Sequence, residues 1–268
     1  MRRTAVDGLG RSIRVPTPVE RAISLAPSIT EMVFAAGGGG KLVGVTTYCN
    51  YPEQAKAIQK VGDTQTPNIE SILALKPQVV FVSTDSQLQS FADTLAQQHV
   101  AVFVLDIKRL EEVPERLRQL GVILGTGEAA EKAASDIEQR IRDVAAKTHS
   151  VEPVRTFVQI SREPLFTIGR DSFLTELIRL AGGVSVTKDI PTAYPKLNKE
   201  TALAMKPSAI ILSDSEDNRD PNDSLRDSPA VKNGRVYRIN ADIISRAGPR
   251  LADALERIAD FLRVAHVN

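Results

Sequence analysis

One stretch occurs twice at a fixed distance. Asn68 to Ser83 reads NIESILALKPQVVFVS, and Asn198 to Ser213 reads NKETALAMKPSAIILS, an offset of 130 residues (68 to 198) without a gap. Asn, Glu, Ser/Thr, Ala, Leu/Met, Lys, Pro and the final Ser recur in register. Solenoid repeats run to about 50 residues, so a match at this distance points instead to two similar lobes.

Each copy has the same local reading. Asn68 and Asn198 cap a helix by accepting a free backbone N–H, and Glu70 and Glu200 sit in the positive first turn. Lys76 and Lys206 are expected near the negative helix end, and Pro77 and Pro207 stop the helix because the residue before proline is pushed out of the α region. The apolar runs VVFV and AIIL then read as parallel strands buried on both faces. Two readings of the paired glutamates stay open. They are helix-dipole carboxylates, or they are equivalent docking points, one on each lobe.

The flanks extend the match. Ser28-Ile29-Thr30-Glu31 reads as a capping box opening a helix that ends at Gly37–Gly40. Ser172 to Glu176 opens a helix that ends at Gly182-Gly183. In each, a glutamate (Glu31, Glu176) precedes the first glycine by six residues, 31 to 37 and 176 to 182. Tyr51-Pro52 precedes the first copy and Tyr194-Pro195 the second. Strands alternate with helices throughout, the mark of mostly parallel sheets in an α/β protein.

Residues 1–20 read as a hairpin or lead-in arm. The segment from Gly127 to Ser150 has no glycine or proline after its first residue and repeats Ala, Ile and Val at helical spacing. It reads as one rigid helix of roughly 30 Å between two Rossmann-like lobes: 1–125, a connecting helix 126–149, and 150–268; the alternative is an ordinary crossover helix of one larger domain. DSEDNRDPNDSLRDSP, from Asp214, is expected to be a polar surface loop or short helix. VKNGRVYRIN is expected to be a strand after an Asn-Gly turn, and an amphipathic helix closes the chain.

Composition removes several classes of function. The net charge is +1, which gives no electrostatic case for nucleic acid or a membrane surface. A single cysteine, Cys49, cannot form an intramolecular disulfide or a cysteine metal cluster, and it reads as a passive loop thiol. His99, His149 and His266 share no ligand spacing. No apolar run is long enough to span a bilayer. No signal peptide is read, and the opening Met1-Arg2-Arg3-Thr4 fits either a trimmed secreted chain or a cytoplasmic start. There is no GxGxxG after a strand, no P-loop, no GxSxG and no paired-His motif, so no enzyme is expected.

RAISLAPSITE, the paired NxE…KP segments, the long middle helix and the ending SRAGPRLADAL resemble the substrate-binding proteins of bacterial ABC importers for cobalamin, haem and iron-siderophores. The pattern is most similar to the cobalamin-binding type, and the likeness runs from about residue 5 to 264. It implies two α/β lobes joined by a single long helix, with ligand in the cleft between them. It implies that Glu70 and Glu200 dock onto arginines of the membrane permease. It further implies ligand contacts from Tyr48 or Tyr51, Tyr194, the polar pair Asp242 and Arg246, and Phe166.

The same resemblance implies a monomer with a small-molecule ligand. Its partners would be a permease and its ATPase, and its location periplasmic or extracellular and membrane-associated. No intrinsic cofactor or resident metal is implied. The chain has no tryptophan, whereas the cobalamin-binding cleft is rich in it, and Thr64 and Ser83 stand near two such positions. A tyrosine as axial ligand would suit haem. Arg162, Arg170 and Arg246 would suit an anionic ferric siderophore.

Overall fold

The short apolar runs become buried strands, and the polar-faced segments become the helices that cover them. The structure, a computed structural model, describes residues 2–83, 88–149 and 152–264. His266 lies outside them, and so does Gln87, where the sequence after VVFV reads as the start of a helix. The chain divides into two compact units, 1–107 with 112–137 and 108–111 with 138–268.

The first unit opens with the expected hairpin, β1 (Arg2–Val6) paired antiparallel with β2 (Ser12–Pro16). There follow β3 (Ala22–Ser24), α1 (Pro27–Ala35), β4 (Leu42–Val45), α2 (Ile69–Ala74), β5 (Val79–Val82), α3 (Leu88–Gln97), β6 (Ala101–Val104) and α4 (Val113–Leu124). Next comes α5 (Gly127–Thr148), 22 residues long, and the division between the units falls inside it. The four strands after the hairpin form one parallel sheet in the order β4-β3-β5-β6. Every residue of β5 is buried. On one face Val80 and Val82 pack with Ile23, Ile72, Phe91 and Leu95. Phe81 meets Phe103 edge to face, with centroids 6.0 Å apart.

The second unit contains β7 (Val154–Ser161), β8 (Phe166–Thr167), α6 (Phe173–Leu180), β9 (Gly183–Ser185), α7 (Lys199–Met205), β10 (Ala209–Asp214), α8 (Pro229–Lys232), β11 (Val236–Asn240), α9 (Ala241–Ile244) and α10 (Leu251–Val264). Its parallel strands run β9-β7-β10-β11, while β8 folds back antiparallel on the end of β7. In each unit the strands therefore lie in the chain order second, first, third, fourth. The repeat seen in the sequence is a repeat of topology.

The matched segments agree atom for atom at their caps. Asn68 Oδ1 accepts from Ser71 N at 2.8 Å, and Asn198 Oδ1 accepts from Thr201 N at 2.8 Å. The lysines stand at the helix ends as expected, Lys206 as the C-cap of α7 and Lys76 directly after Leu75, the C-cap of α2. Both are left-handed, at φ 47° and 44°. With the right-handed α region closed by the following proline, each lysine makes the sharp reversal itself.

Two expectations need correction. The capping box at Ser28–Glu31 is absent. Proline suits the first helical position, so α1 starts at Pro27 behind Ala26, with no side-chain cap, and Glu31 is carried into the interior. Two short strands, β8 after β7 and β9 at the glycine pair, have no counterpart among the expectations. In VKNGRVYRIN the expected strand does follow the Asn233-Gly234 turn, as Val236–Asn240, while Val231 and Lys232 end α8. The polar stretch after β10 is not wholly a surface feature, because Asn218, Asn222, Ser224 and Ser228 are buried.

Candidate functional site

Open parallel sheets bind ligands beyond the carboxyl ends of their strands, near the point where strand order reverses. Here that point lies between β3 and β5 in the first unit and between β7 and β10 in the second. Each ligand-contact residue expected from the sequence sits on a segment leaving a carboxyl end in its own unit. Tyr48 and Tyr51 follow β4, Phe166 follows β7, Tyr194 follows β9, and Asp242 and Arg246 follow β11. The three tyrosines are exposed, Tyr48 most of all at 60%. Large aromatic rings left in water at such an edge are available contact surface.

The loop with Tyr48 and Tyr51 is held from below by the residue between them. Cys49 is 1% exposed. Its sulfur lies 3.1 Å from the hydroxyls of both Thr30 and Thr46, and Thr30 in turn reaches Ser24 at 2.9 Å. Lys60 Nζ donates to the carbonyls of Cys49 at 3.3 Å and Ala55 at 2.9 Å. The thiol is thus an internal anchor and the tyrosines are the outer face. Farther along, Asp63 organises the turn bearing Thr64. Thr66 N, the Thr66 hydroxyl and Gln65 N all donate to it, which keeps its carboxyl below the usual carboxylate range.

In the second unit, the segment bearing Tyr194 lies along β8. Leu197 N donates to Leu165 O, Thr167 N to Pro195 O, and Gly169 N to Ala193 O. Phe166 pairs across to Lys196, so Phe166 and Tyr194 are brought to neighbouring positions on two adjacent segments. Gly169 cannot carry a side chain here, because a Cβ would stand 2.1 Å from Thr192 O. Asp242 and Arg246 form the expected pair. Arg246 Nη2 lies 2.8 Å from Asp242 Oδ1, with the arginine side chain 11% exposed and the carboxylate 44%. Asn240 Oδ1 accepts from Asp242 N at 2.8 Å, and Arg250 donates to Asp242 O at 3.2 Å. The guanidinium is thus set deep and paired, and the carboxylate is the more exposed member of the pair.

Glu70 and Glu200 are exposed and occupy matching places in the first turns of α2 and α7. Each helix packs one buried residue into its unit's core, Ile72 from α2 and Ala202 from α7. Arg162, named for an anionic chelate, lies 3.5 Å from Asp223, and Arg170 donates to Asp189 O at 3.0 Å. Two grooves of the second unit, of about 460 and 420 Å³, contain none of these residues. Among the described residues no group of three His, Cys, Asp or Glu is arranged to hold a metal ion, and no helix is long and apolar enough to cross a membrane.

Sequence reasoning missed a set of supports in the second unit, Gln159, Asn218 and Asn222. Nothing in their spacing marks them. An asparagine in a stretch rich in Asp, Asn and Pro reads as a turn residue, and only the fold shows it to be internal.

The family model for periplasmic binding proteins matches residues 23–243. The chain is 34% identical over 255 residues to the vitamin B12-binding protein of Vibrio cholerae serotype O1, covering 93% of this chain and 91% of that protein. It is 34% identical over 248 residues to the vitamin B12-binding protein of Pectobacterium atrosepticum, covering 91% of this chain and 88% of that one. The crystal structure of the periplasmic vitamin B12-binding protein BtuF of Vibrio cholerae superposes with a TM-score of 0.81 at 32% identity, over 94% of this chain and 99% of that one. The periplasmic haem-binding protein RhuT from Roseiflexus sp. RS-1 shares the fold, with a TM-score of 0.80 at 22% identity over 92% and 99%. These relatives are binding proteins, and the match spans nearly the whole chain. The chain belongs to the periplasmic binding protein family.

Proposed function

We propose that this chain is the substrate-binding protein of an ABC importer and that its ligand is a corrinoid such as cobalamin. The observation that carries the reading is the 34% identity to a vitamin B12-binding protein over 93% of the chain. The carboxyl-edge position of Tyr48, Tyr51, Phe166, Tyr194, Asp242 and Arg246 supports it. The aromatic residues would lie against the faces of the macrocycle, and Asp242 and Arg246 would meet its amide side chains. Residues 1–125 and 150–268 act as the two lobes and the helix 126–149 as their connector. The protein binds its cargo without chemistry, as a monomer outside the cytoplasmic membrane. Glu70 and Glu200 meet arginines of a permease that works with an ATPase, through charge-assisted bonds.

A second reading keeps the transport role and changes the cargo to haem or a ferric siderophore. Three exposed tyrosines, in a chain without tryptophan, favour it. A phenolate oxygen can ligate haem iron.

A thermal-shift panel with cyanocobalamin, cobinamide, hemin and ferric siderophores separates the two. A ligand that binds only the folded state at a hundred times its Kd adds about 2.7 kcal/mol. A shift with the corrinoids supports the first reading, and a shift with hemin or a siderophore alone replaces it with the second. No shift with any of them refutes both. In a cyanocobalamin titration, Asp242→Ala and Arg246→Ala should weaken binding, whereas Glu70→Ala with Glu200→Ala should leave affinity unchanged and weaken only permease coupling.

A further inference from the structure

The polar segment that follows β10 does something a surface loop has no need to do. It buries amide side chains against the end of another strand. Gln159, on β7, is 0% exposed, Asn218 is 2% and Asn222 is 6%. Gln159 Nε2 donates to Asn218 Oδ1 at 2.7 Å and to Asp220 O at 2.9 Å, while its Oε1 accepts from Asn222 N at 2.7 Å. Asn218 Nδ2 donates to the carbonyls of Gln159, Ile160 and Ser213. Asn222 Nδ2 donates to Arg162 O and to Glu163 Oε1, both at 2.9 Å, and its Oδ1 accepts from Ser224 N.

Apolar side chains would hold a loop down without regard to its exact register. Amides in a low-dielectric site accept one arrangement, because each unmade bond is costly. Most of the arrangement is aimed at one place. Besides Ser213 O on β10 and the segment's own Asp220 O and Asn218 Oδ1, the acceptors are the backbone carbonyls of residues 159, 160 and 162 and the side chain of residue 163, which together are the exit of β7. That exit leads to Phe166, which pairs back onto Ser161 and across to Lys196, beside Tyr194.

We propose that Gln159, Asn218 and Asn222 are positioning residues that fix the Arg162–Phe166 segment at the carboxyl end of β7, and through it the ligand affinity of this unit. The ligand half of the proposal rests on the function proposed above. The conformational half does not.

Asn222→Asp is the discriminating change. It preserves size and the oxygen that caps Ser224 N. It replaces the amide donor with an oxygen facing Arg162 O and the Glu163 carboxylate. Two readouts are taken on the full chain. One is limited trypsin cleavage of the Arg162–Glu163 bond, with the Arg162 side chain already 37% exposed. The other is the dissociation rate of whichever of cyanocobalamin or hemin the wild type binds. Both should rise about tenfold, the factor that one lost hydrogen bond to a buried group is worth. Adding Glu163→Gln, which removes the repulsion and can donate to the new carboxylate, should recover part of both. Asn222→Ser, which loses the same donor and keeps a capping oxygen, takes the place of N222D if that variant does not melt cooperatively.

Unchanged cleavage at Arg162 overturns the proposal. Faster cleavage with unchanged dissociation of a bound probe also overturns it, since the clamp would then not reach the ligand. If the wild type binds neither probe, faster cleavage upholds the clamp and removes only the functional reading, whereas unchanged cleavage removes both.

Discussion

In the second half of α5, Arg140 is ion-paired to two carboxylates of α10, and replacing it by methionine tests how much that pairing is worth. Arg140 donates through Nε and Nη2 to both oxygens of Glu256, at 2.8 and 2.6 Å, and through Nη2 to Asp253 at 2.5 Å. Hydrogen bonds to charged groups contribute about 1.5–3 kcal/mol, and exposed ion pairs about 0.2–1 kcal/mol. Here the arginine side chain is 24% exposed and its carboxylates 42% and 43%, so the pair lies between these cases. Methionine keeps the apolar stem. Arg140→Met should therefore cost roughly 1.5 kcal/mol, which for a unit of this size lowers its Tm by about 5 °C.

The pH dependence has a definite sign. Glu256 is held below its ordinary carboxyl value, chiefly by the hydrogen bond from Arg140, with burial opposing. A group depressed in the folded state adds stability above its unfolded value, which is lost as pH falls through the folded one. The Tm gap between wild type and R140M, followed by circular dichroism, should be full at pH 7 and close progressively below the ordinary value of 4.5. It should also shrink in about 1 M salt, where the Debye length is near 3 Å. Equal Tm values at pH 7, or a gap unchanged at pH 3, would refute the reasoning.

Three further outcomes are expected. Asn68→Ala and Asn198→Ala should each cost about 1 kcal/mol in urea denaturation, because each removes a helix cap of the same geometry; a cost at one site alone would contradict the structural repeat. Lys76→Gly and Lys206→Gly should be neutral to stabilising by up to about 1 kcal/mol, since glycine enters the left-handed region without steric cost, and a loss above that in the same assay would contradict the backbone assignment. Cys49 should react with a thiol reagent only as fast as the protein opens; labelling of the native chain at the rate of a free thiol would contradict its burial.

Much of the fold can be read from local pattern. Helix caps, proline stops and short apolar runs act over a few residues, so Asn68, Pro77 and VVFV carry the same meaning in an isolated segment as in the protein. The repeat places these signals twice, and the two sheets follow. The expected ligand residues come from the resemblance to importer binding proteins rather than from local pattern, and each stands on a segment that leaves a strand's carboxyl end. Where the reading failed, a competing local rule won. Pro27 outweighed Ser28 as a helix starter. β9 was hidden behind a glycine pair that also ends a helix, although its β-branched alternation over Val184–Thr187 was a usable signal.

The remaining features are set by partners distant in the chain. That Asn218 and Asn222 are internal depends on Gln159, about 60 residues earlier, and no local pattern distinguishes a buried asparagine from one in a turn. Cys49 is an anchor because Thr30 and Lys60 reach it from other segments. Arg140 is a clamp because Glu256 lies opposite it, 116 residues later. Local sequence sets which elements form, since propensity and capping are short-range. Which polar side chain is a support and which faces solvent is set by burial, and burial exists only once the strands and helices have come together.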